Sequence, residues 1–116
     1  MSVTIDVVVG DRVATVLVAG ELDLGSAATL NEALGLACAS DVAEVAVDMS
    51  GVDFLDSTAV SGLIRCFMRL RDTGRTFRIE GAGTQAVNLF RLTRLDQLLN
   101  VSGRRHDLRS LPGRPA

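Results

Sequence analysis

The chain has 116 residues, enough for one domain with a hydrophobic core, and 47% of them are apolar. Only 3% are aromatic, so the chain offers few rings on which the bases of single-stranded nucleic acid could stack. The net charge of −2 argues further against a protein built to neutralise phosphates, and we expect no nucleic-acid partner.

The first half of the chain predicts an antiparallel hairpin, a helix and a third strand. Gly10-Asp11 separates the first two strands as a turn, and Gly20-Glu21-Leu22-Asp23 then leaves the sheet. The helix starts near Ser26, a plausible N-cap, because apolar residues follow it at helical spacing. A loop over residues 50–56 follows the third strand. The predicted strands are Val3–Val9, 12–19 and 44–49.

The second half predicts an amphipathic helix, a strand and a third helix. Gly74 follows the first of these helices and is suited to a left-handed C-cap. A short last helix is expected over residues 96–100, closed by Val101. The other predicted elements are a helix over Ser57–Asp72, a strand over 76–80 and a helix over Thr84–Leu92.

This order, β-β-α-β-α-β-α, indicates one α/β domain over residues 1–102. Strands that alternate with helices imply right-handed crossovers and a mixed, mostly parallel sheet with one antiparallel edge strand. Residues 103–116 are rich in Arg, Ser, Gly and Pro without any periodicity, which predicts a disordered Arg-rich tail.

The two cysteines, Cys38 and Cys66, are not spaced as a C-x-x-C pair, and the only histidine is distant from both in the sequence. Both fall in apolar helical patterns, so we expect buried free thiols. No stretch is long and apolar enough to span a membrane, and the N-terminus lacks a basic region followed by an apolar run. We therefore expect a soluble, cytoplasmic protein without a membrane partner.

Two loops that follow strand ends carry acidic residues and a serine. In an open sheet, function gathers in the loops after the carboxyl ends of the strands. The first such loop contains Asp23, and the second contains Asp53, Asp56 and Ser57 directly before a helix. We expect these side chains to lie at one end of the sheet and to form an acidic rim.

Ser57 has two interpretations. A serine before an apolar-periodic run is typical of a helix N-cap, whose hydroxyl accepts a bond from a backbone N–H, and the pattern alone favours this role. Asp56 could be the cap instead, which would leave Ser57 as the first helical residue with its hydroxyl free.

Catalysis and metal binding have little support in the sequence. A nucleophilic serine needs a general base, usually histidine, and the only one is His106, in the predicted tail. No G-x-S-x-G motif is present. Asp23, Asp53 and Asp56 could bind Mg²⁺, but acidic residues on a solvated loop are the commoner case. We predict a protein that is not an enzyme and has no catalytic residue, metal site or cofactor.

The segment from Asp48 to Thr58 resembles a motif of the STAS family of anti-sigma factor antagonists, D-L-S-G-V-x-x-[ILM]-D-S-[ST]. Two more segments match in order. Gly20-Glu21-Leu22-Asp23 is similar to the family's G-x-[LIV]-D, and residues 92–99 are similar to its closing L-T-G-L-D-x-L. The likeness covers roughly residues 3–101, and three ordered matches are more specific than any one of them.

The resemblance implies a STAS-like domain that acts as a binding switch. Ser57 would be phosphorylated by a partner that is both a kinase and an anti-sigma factor, with Thr58 as a less favoured site. The unphosphorylated form would bind that anti-sigma factor and free a sigma factor, and a PP2C-type phosphatase would restore it. A monomer is favoured. The expected contact residues are Asp23, Asp56, Ser57, Ser61, Arg65 and Arg69.

Two positions depart from the family pattern. Ala59 stands near the start of the second helix, where the family often has Gly, and alanine tolerates a helix start well. Arg94 stands where the closing motif has Gly. If that position needs a positive φ, an arginine is strained there. Alternatively, the local turn differs from that of the family, and the third helix ends at another residue.

Two other functions stay open. A STAS binding subunit of a lipid-transport or stress-sensing complex would need no phosphorylation, and a neighbouring transporter or stress-sensor gene would favour it. A small nucleotide-binding or catalytic α/β domain is opposed by the missing base, metal cluster and phosphate loop, and a nucleotide titration tests it.

Overall fold

The predicted hairpin and the predicted alternation of strands and helices are both present in the computed structural model, which describes residues 3–103. The predicted mixed α/β fold is thereby confirmed. Residues 104–116 of the predicted tail lie outside the described residues, whereas Gly103 belongs to the last strand. The elements are β1 (Val3–Val9), β2 (Val13–Leu22), α1 (Ala27–Ala39), β3 (Glu44–Leu55), α2 (Ser57–Asp72), β4 (Thr76–Ala82), α3 (Thr84–Leu92) and β5 (Val101–Gly103).

The five strands form one sheet in the order β1-β2-β3-β4-β5, in which only the β1–β2 pair is antiparallel. Because the parallel strands follow each other in one direction, right-handed crossovers place their helices on one face. Alternate residues of β3, such as Val45 and Val47, accordingly belong to the hydrophobic core. On the opposite face Ala46 lies beside Arg78, which forms ion pairs with Glu44 and Glu80.

The second and third strands are longer than predicted. Residues 20–22 remain in β2 instead of leaving the sheet, and most of the predicted loop over residues 50–56 belongs to β3. Parallel pairing of the two strands continues from Ala19 opposite Gly51 to Leu22 opposite Leu55. This pairing between distant segments overrides the local preference of Ser50 and Gly51 for a loop.

The predicted helix over residues 96–100 is wrong. The segment forms successive turns, in which the Leu99 N–H donates to the Leu95 carbonyl at 2.9 Å and the Val101 N–H donates to the Asp96 carbonyl at 2.9 Å. Asn100 has a φ of 53°, which ends any helical course. The chain then enters β5, which extends the sheet beside β4.

Helices α2 and α3 end in the same hydrogen-bonded motif. After α2, Gly74 has a φ of 70°, and the Arg75 N–H donates to the Leu70 carbonyl at 2.9 Å. After α3, Arg94 has a φ of 61°, and the Leu95 N–H donates to the Phe90 carbonyl at 2.8 Å. Both are Schellman motifs, for which glycine is preferred at the left-handed position. Arg94 therefore has the positive φ under which strain was expected at this position.

Candidate functional site

The carboxyl ends of β2 and β3 lie side by side and bring the two predicted loops together. Leu22 pairs with Leu55, and the Asp56 N–H donates to the Leu22 carbonyl at 3.0 Å. Asp23 and Asp56 are thus the first residues beyond two adjacent strand ends. The expectation that both acids lie at one end of the sheet is met by this geometry.

Asp56, and not Ser57, is the N-cap of α2. Its carboxylate accepts bonds from the Thr58 N–H at 2.9 Å and the Ala59 N–H at 3.3 Å. The capping role that the pattern favoured for Ser57 is therefore wrong. Ser57 is the first residue of the helix, its side chain is exposed, and its hydroxyl forms no hydrogen bond to another residue within 3–103. A free, accessible hydroxyl thus stands beside a carboxylate at a helix N-terminus.

Ser26 occupies a different environment, although it also lies close to an aspartate at the start of a helix. Its residue is only 6% exposed. Its hydroxyl accepts a bond from the Asp23 N–H at 3.0 Å and lies 3.1 Å from the Glu21 carbonyl, to which it can donate. A single 3₁₀ turn over Leu24–Ser26 precedes α1, and the predicted helix start near Ser26 is correct. Ser26 holds the end of β2 and does not cap α1 through its side chain.

The other predicted contact residues lie along one exposed row of α2. Ser57, Ser61, Arg65 and Arg69 are spaced four residues apart, which places them on the same side of the helix, and all four are exposed. The Ser61 hydroxyl donates to the Ser57 carbonyl at 3.2 Å. The helix therefore presents hydroxyl groups near its N-terminus and guanidinium groups farther along, as one continuous strip.

This row borders a groove between α1 and α2 with a volume of about 200 Å³. Arg65 and Arg69 line it together with both cysteines, and the remaining lining residues are Asn31, Leu34, Gly35 and Gly62. A Cβ atom at position 62 would collide with the Asn31 amide, so glycine allows the two helices to approach closely there. The predicted contact row is thus continuous with a concave surface.

Comparison with known proteins identifies the family. The family model for the MlaB, STAS domain matches residues 5–100. The chain belongs to the STAS domain family. Its curated relatives include the anti-sigma-B factor antagonist of Bacillus subtilis, 26% identical, which covers 90% of this chain and 94% of the relative.

Two further comparisons agree with this family. Anti-sigma-F factor antagonist RsfB of Mycobacterium tuberculosis is 28% identical, with 91% of this chain and 86% of the relative covered. The crystal structure of an anti-sigma factor antagonist from Mycobacterium paratuberculosis superposes with a TM-score of 0.80 at 27% identity, covering 91% of this chain and 90% of the other.

Apolar residues at the rim of this STAS domain were missed by the sequence reasoning. Leu24 is 77% exposed and directly follows Asp23, and Phe54 is 43% exposed and pairs with Glu21 at the end of the sheet. The sequence does not reveal that an apolar residue in a predicted loop is exposed, because its exposure depends on the conformation of that loop in the fold. The same end of the sheet therefore exposes apolar side chains as well as acids.

Gln85 of α3 was also missed. Its side-chain amide accepts a bond from the Leu55 N–H at 3.0 Å and donates to the Leu55 carbonyl at 2.9 Å. Because β4 pairs with β3 only as far as Asp48 opposite Glu80, the end of β3 lacks a strand on that side. Gln85 takes the place of that strand and fixes the residue that precedes the Asp56 cap.

Asp53 sits in an irregular part of β3, where one residue is added to β3 between the pairs Gly20–Val52 and Glu21–Phe54. Across residues 3–103, no three His, Cys, Asp or Glu side chains are grouped so that they could hold a metal ion. His106 lies outside this range. In the same part of the chain, the longest apolar helical stretches fall short of what a bilayer-spanning helix needs.

Proposed function

We propose that this STAS domain is an anti-sigma factor antagonist whose binding is controlled at Ser57. Without phosphate it binds a kinase-type anti-sigma factor and so frees a sigma factor. Phosphorylation of Ser57 by that partner releases it, and a PP2C-type phosphatase reverses the change. The observation that carries this proposal is the cap of α2: Asp56 supplies it, so the exposed Ser57 hydroxyl has no structural bond to lose.

The relatives support the general role. Two curated proteins that align over about nine-tenths of the chain are named as antagonists of anti-sigma factors. The role at Ser57 is our inference for this chain. Thr58 is the competing phosphorylation site, but its residue is only half exposed and its backbone N–H is bound to Asp56. Ser57 is therefore the more accessible of the two hydroxyls.

The charge of a phosphate would act mainly on the interface and not on the fold. Phosphorylation adds a charge of about −1.5 to −2. The N-terminus of α2 attracts this charge by roughly 0.3–1 kcal/mol, while Asp56 and Asp53 repel it to a similar extent in solvent. An unpaired phosphate that must be desolvated against a partner costs several kcal/mol. Since about 1.4 kcal/mol is tenfold in affinity, a switch of a hundredfold needs no change of conformation.

The partner surface that we propose has an apolar centre and a polar border. Leu24 and Phe54 supply exposed apolar area beside the acids, which suits the anchor residues of an interface. The row on α2 extends the surface toward the groove, where arginines are favoured in contacts between proteins. The polar members are Asp23, Asp56, Ser57, Ser61, Arg65 and Arg69.

Affinity capture from a lysate of the source organism tests the proposal. Wild type, Ser57→Ala and Ser57→Asp are used as baits, and the bound proteins are identified by mass spectrometry. We expect a kinase-type anti-sigma factor on wild type and Ser57→Ala and its loss from Ser57→Asp. Incubation of the captured kinase with wild type and ATP, followed by phosphopeptide mapping, then separates Ser57 from Thr58.

The same experiment distinguishes the rival function. If all three baits capture the same transporter or scaffold protein, the domain is a STAS binding subunit without a phosphorylation switch. Ser26→Ala is not suited as a control bait because we expect the loss of this buried, bonded hydroxyl to destabilise the fold. Thr58→Val is the better control, since it keeps the β-branched shape, removes a neighbouring hydroxyl and leaves Ser57 in place.

A further inference from the structure

Cys38 and Cys66 meet where α1 packs on α2. They are 3% and 5% exposed, both are free thiols, and their sulfur atoms are 2.8 Å apart. This separation is shorter than an ordinary contact between two sulfur atoms. A disulfide bond is about 2.05 Å long, so the sulfurs need to approach by only about 0.75 Å to be joined.

The helices around this pair allow both the close approach and the access of a small molecule. Gly62 lies one turn before Cys66, and its lack of a Cβ atom leaves room for the Asn31 amide of α1. Both cysteines also line the groove between the helices. The exposed residues Arg65 and Arg69 line the same groove, whose volume of about 200 Å³ is large enough to hold a solute the size of hydrogen peroxide beside the cysteines.

The charges around the pair make the two thiols unequal. The pKa of Cys38 is lowered to about 7, chiefly because the Cys66 S–H donates to it and further because the Arg69 and Arg75 guanidinium groups lie nearby; burial opposes this. The pKa of Cys66 is raised, first because its S–H would have to give up the hydrogen bond to Cys38. Burial and the charge of a neighbouring Cys38 thiolate raise it further. Arg75 is fixed in place because its Nη1 donates to the Cys38 carbonyl at 2.8 Å. One sulfur is therefore prepared to attack, and the other is held beside it as a protonated thiol.

We propose that Cys38 and Cys66 are an intramolecular redox pair that hydrogen peroxide converts into a reversible disulfide between α1 and α2. The Cys38 thiolate attacks one oxygen of the peroxide, the O–O bond breaks, and the leaving hydroxide takes a proton from solvent to form water. The Cys66 sulfur then attacks the resulting Cys38 sulfenic acid. An S–S bond forms, the S–O bond breaks, and the hydroxyl leaves as water with the Cys66 proton. Two thiols are oxidised, and one peroxide is reduced to two waters.

The bond would fasten α2 to α1 beside the exposed row. Cys66 follows Arg65 directly and lies three residues before Arg69, so the link would tie the backbone turn that carries both arginines to α1. Oxidation would then change this surface without any modification of Ser57. The inference concerns the thiols alone and holds whether or not Ser57 is phosphorylated.

The test is peroxide treatment of the purified, reduced protein, followed by unfolding, maleimide labelling and mass measurement. We expect wild type to become two hydrogen atoms lighter, to remain a single chain, to take up no maleimide and to melt at a higher temperature. A dithiol reductant should restore both labels. Two reactive thiols that survive excess peroxide, or a disulfide that joins two chains, would overturn the proposal.

Two single variants test the assigned roles. Cys66→Ser should accumulate a sulfenic acid at Cys38 that dimedone traps, and its reaction rate should rise with pH as the Cys38 thiol ionises. Cys38→Ser should react at least tenfold more slowly. Equal rates for the two variants would contradict the roles given to Cys38 and Cys66. If a serine variant fails to fold, the corresponding alanine variant is used, and the wild-type mass and reduction results stand without either.

Discussion

Two aspartate–serine pairs lie at the same end of the sheet, and they use their serines in opposite ways. In the β2–α1 connection, the buried Ser26 hydroxyl is bonded to the backbone around Asp23. In the β3–α2 connection, Asp56 binds the backbone of α2, and the adjacent Ser57 hydroxyl is exposed and unbonded within the described residues. The Ser26 hydroxyl is thus used to hold the end of β2, whereas the Ser57 hydroxyl stays available because Asp56 binds the backbone of α2 in its place.

The largest effect on stability that we expect separates the two serines directly. Ser26→Ala removes a buried hydroxyl and leaves the Asp23 N–H and the Glu21 carbonyl without that partner, which should lower the free energy of unfolding by about 1–3 kcal/mol. Ser57→Ala removes no bond and should stay within about 0.5 kcal/mol of wild type. Urea unfolding of both variants checks this. Equal losses would mean that Ser57 has a structural role after all.

Removal of the α2 cap should lower the free energy of unfolding by less than Ser26→Ala does, and it tests whether Ser57 can take over a structural role. Asp56→Ala deletes the acceptor of two backbone bonds and should cost about 1 kcal/mol of stability, whereas Asp56→Asn keeps a capping oxygen and should cost less. If the Ser57 hydroxyl replaces the lost cap, Ser57→Ala will become destabilising in the Asp56→Ala background. A double-mutant cycle measured by chemical denaturation would reveal this coupling, and strict additivity would show that Ser57 cannot take over.

Gln85 should contribute about as much as the cap, because both fix the same end of β3. Gln85→Ala removes two bonds to the Leu55 backbone and should cost about 1 kcal/mol. Hydrogen exchange of the Leu55 amide should accelerate more than that of Val47 in the centre of the strand, which keeps its neighbours on both sides. Unchanged exchange at Leu55 would show that the side chain does not hold the strand end.

The smallest expected effect concerns the C-terminal ends of α2 and α3, where Gly74 and Arg94 occupy the same left-handed position. Arg94→Gly relieves a left-handed non-glycine residue and should raise stability by about 0.5–1 kcal/mol. Gly74→Arg introduces the same strain after α2 and should lower stability by a similar amount. Arg94→Ala serves as the control, since it removes the side chain but keeps the strain. If thermal melts show that Arg94→Ala stabilises the protein as much as Arg94→Gly does, backbone strain is not the reason for the gain.

Local signals were sufficient for most of the fold. The bounds of β1, α2 and α3 were predicted correctly because their apolar periodicity ends at turn or cap residues that act locally. The extension of β3 to Leu55 could not be predicted, because it depends on pairing with β2 and on a clamp from Gln85. The last strand was not predicted, because its three residues contain no periodicity to read, and the turns over residues 96–100 that precede it were taken for a short helix.

The site could be predicted only in part, for related physical reasons. Its acids and Ser57 follow from the rule that loops after strand ends gather together. The choice of cap could not be made, because aspartate and serine are both good N-caps and the backbone decides between them. Exposure of Leu24 and Phe54 depends on the fold of the rim. The contact of Cys38 with Cys66 joins residues 28 positions apart and has no local signature.

The most direct test of the account compares the affinity of the purified anti-sigma factor for this domain with and without phosphate on Ser57. Titration calorimetry with unmodified and stoichiometrically phosphorylated protein gives both dissociation constants, and circular dichroism checks that both forms are folded. The account predicts a loss of affinity of about a hundredfold or more, equivalent to about 2.7 kcal/mol, with the fold unchanged. Affinities within about twofold of each other would contradict the claim that the exposed Ser57 hydroxyl is the switch.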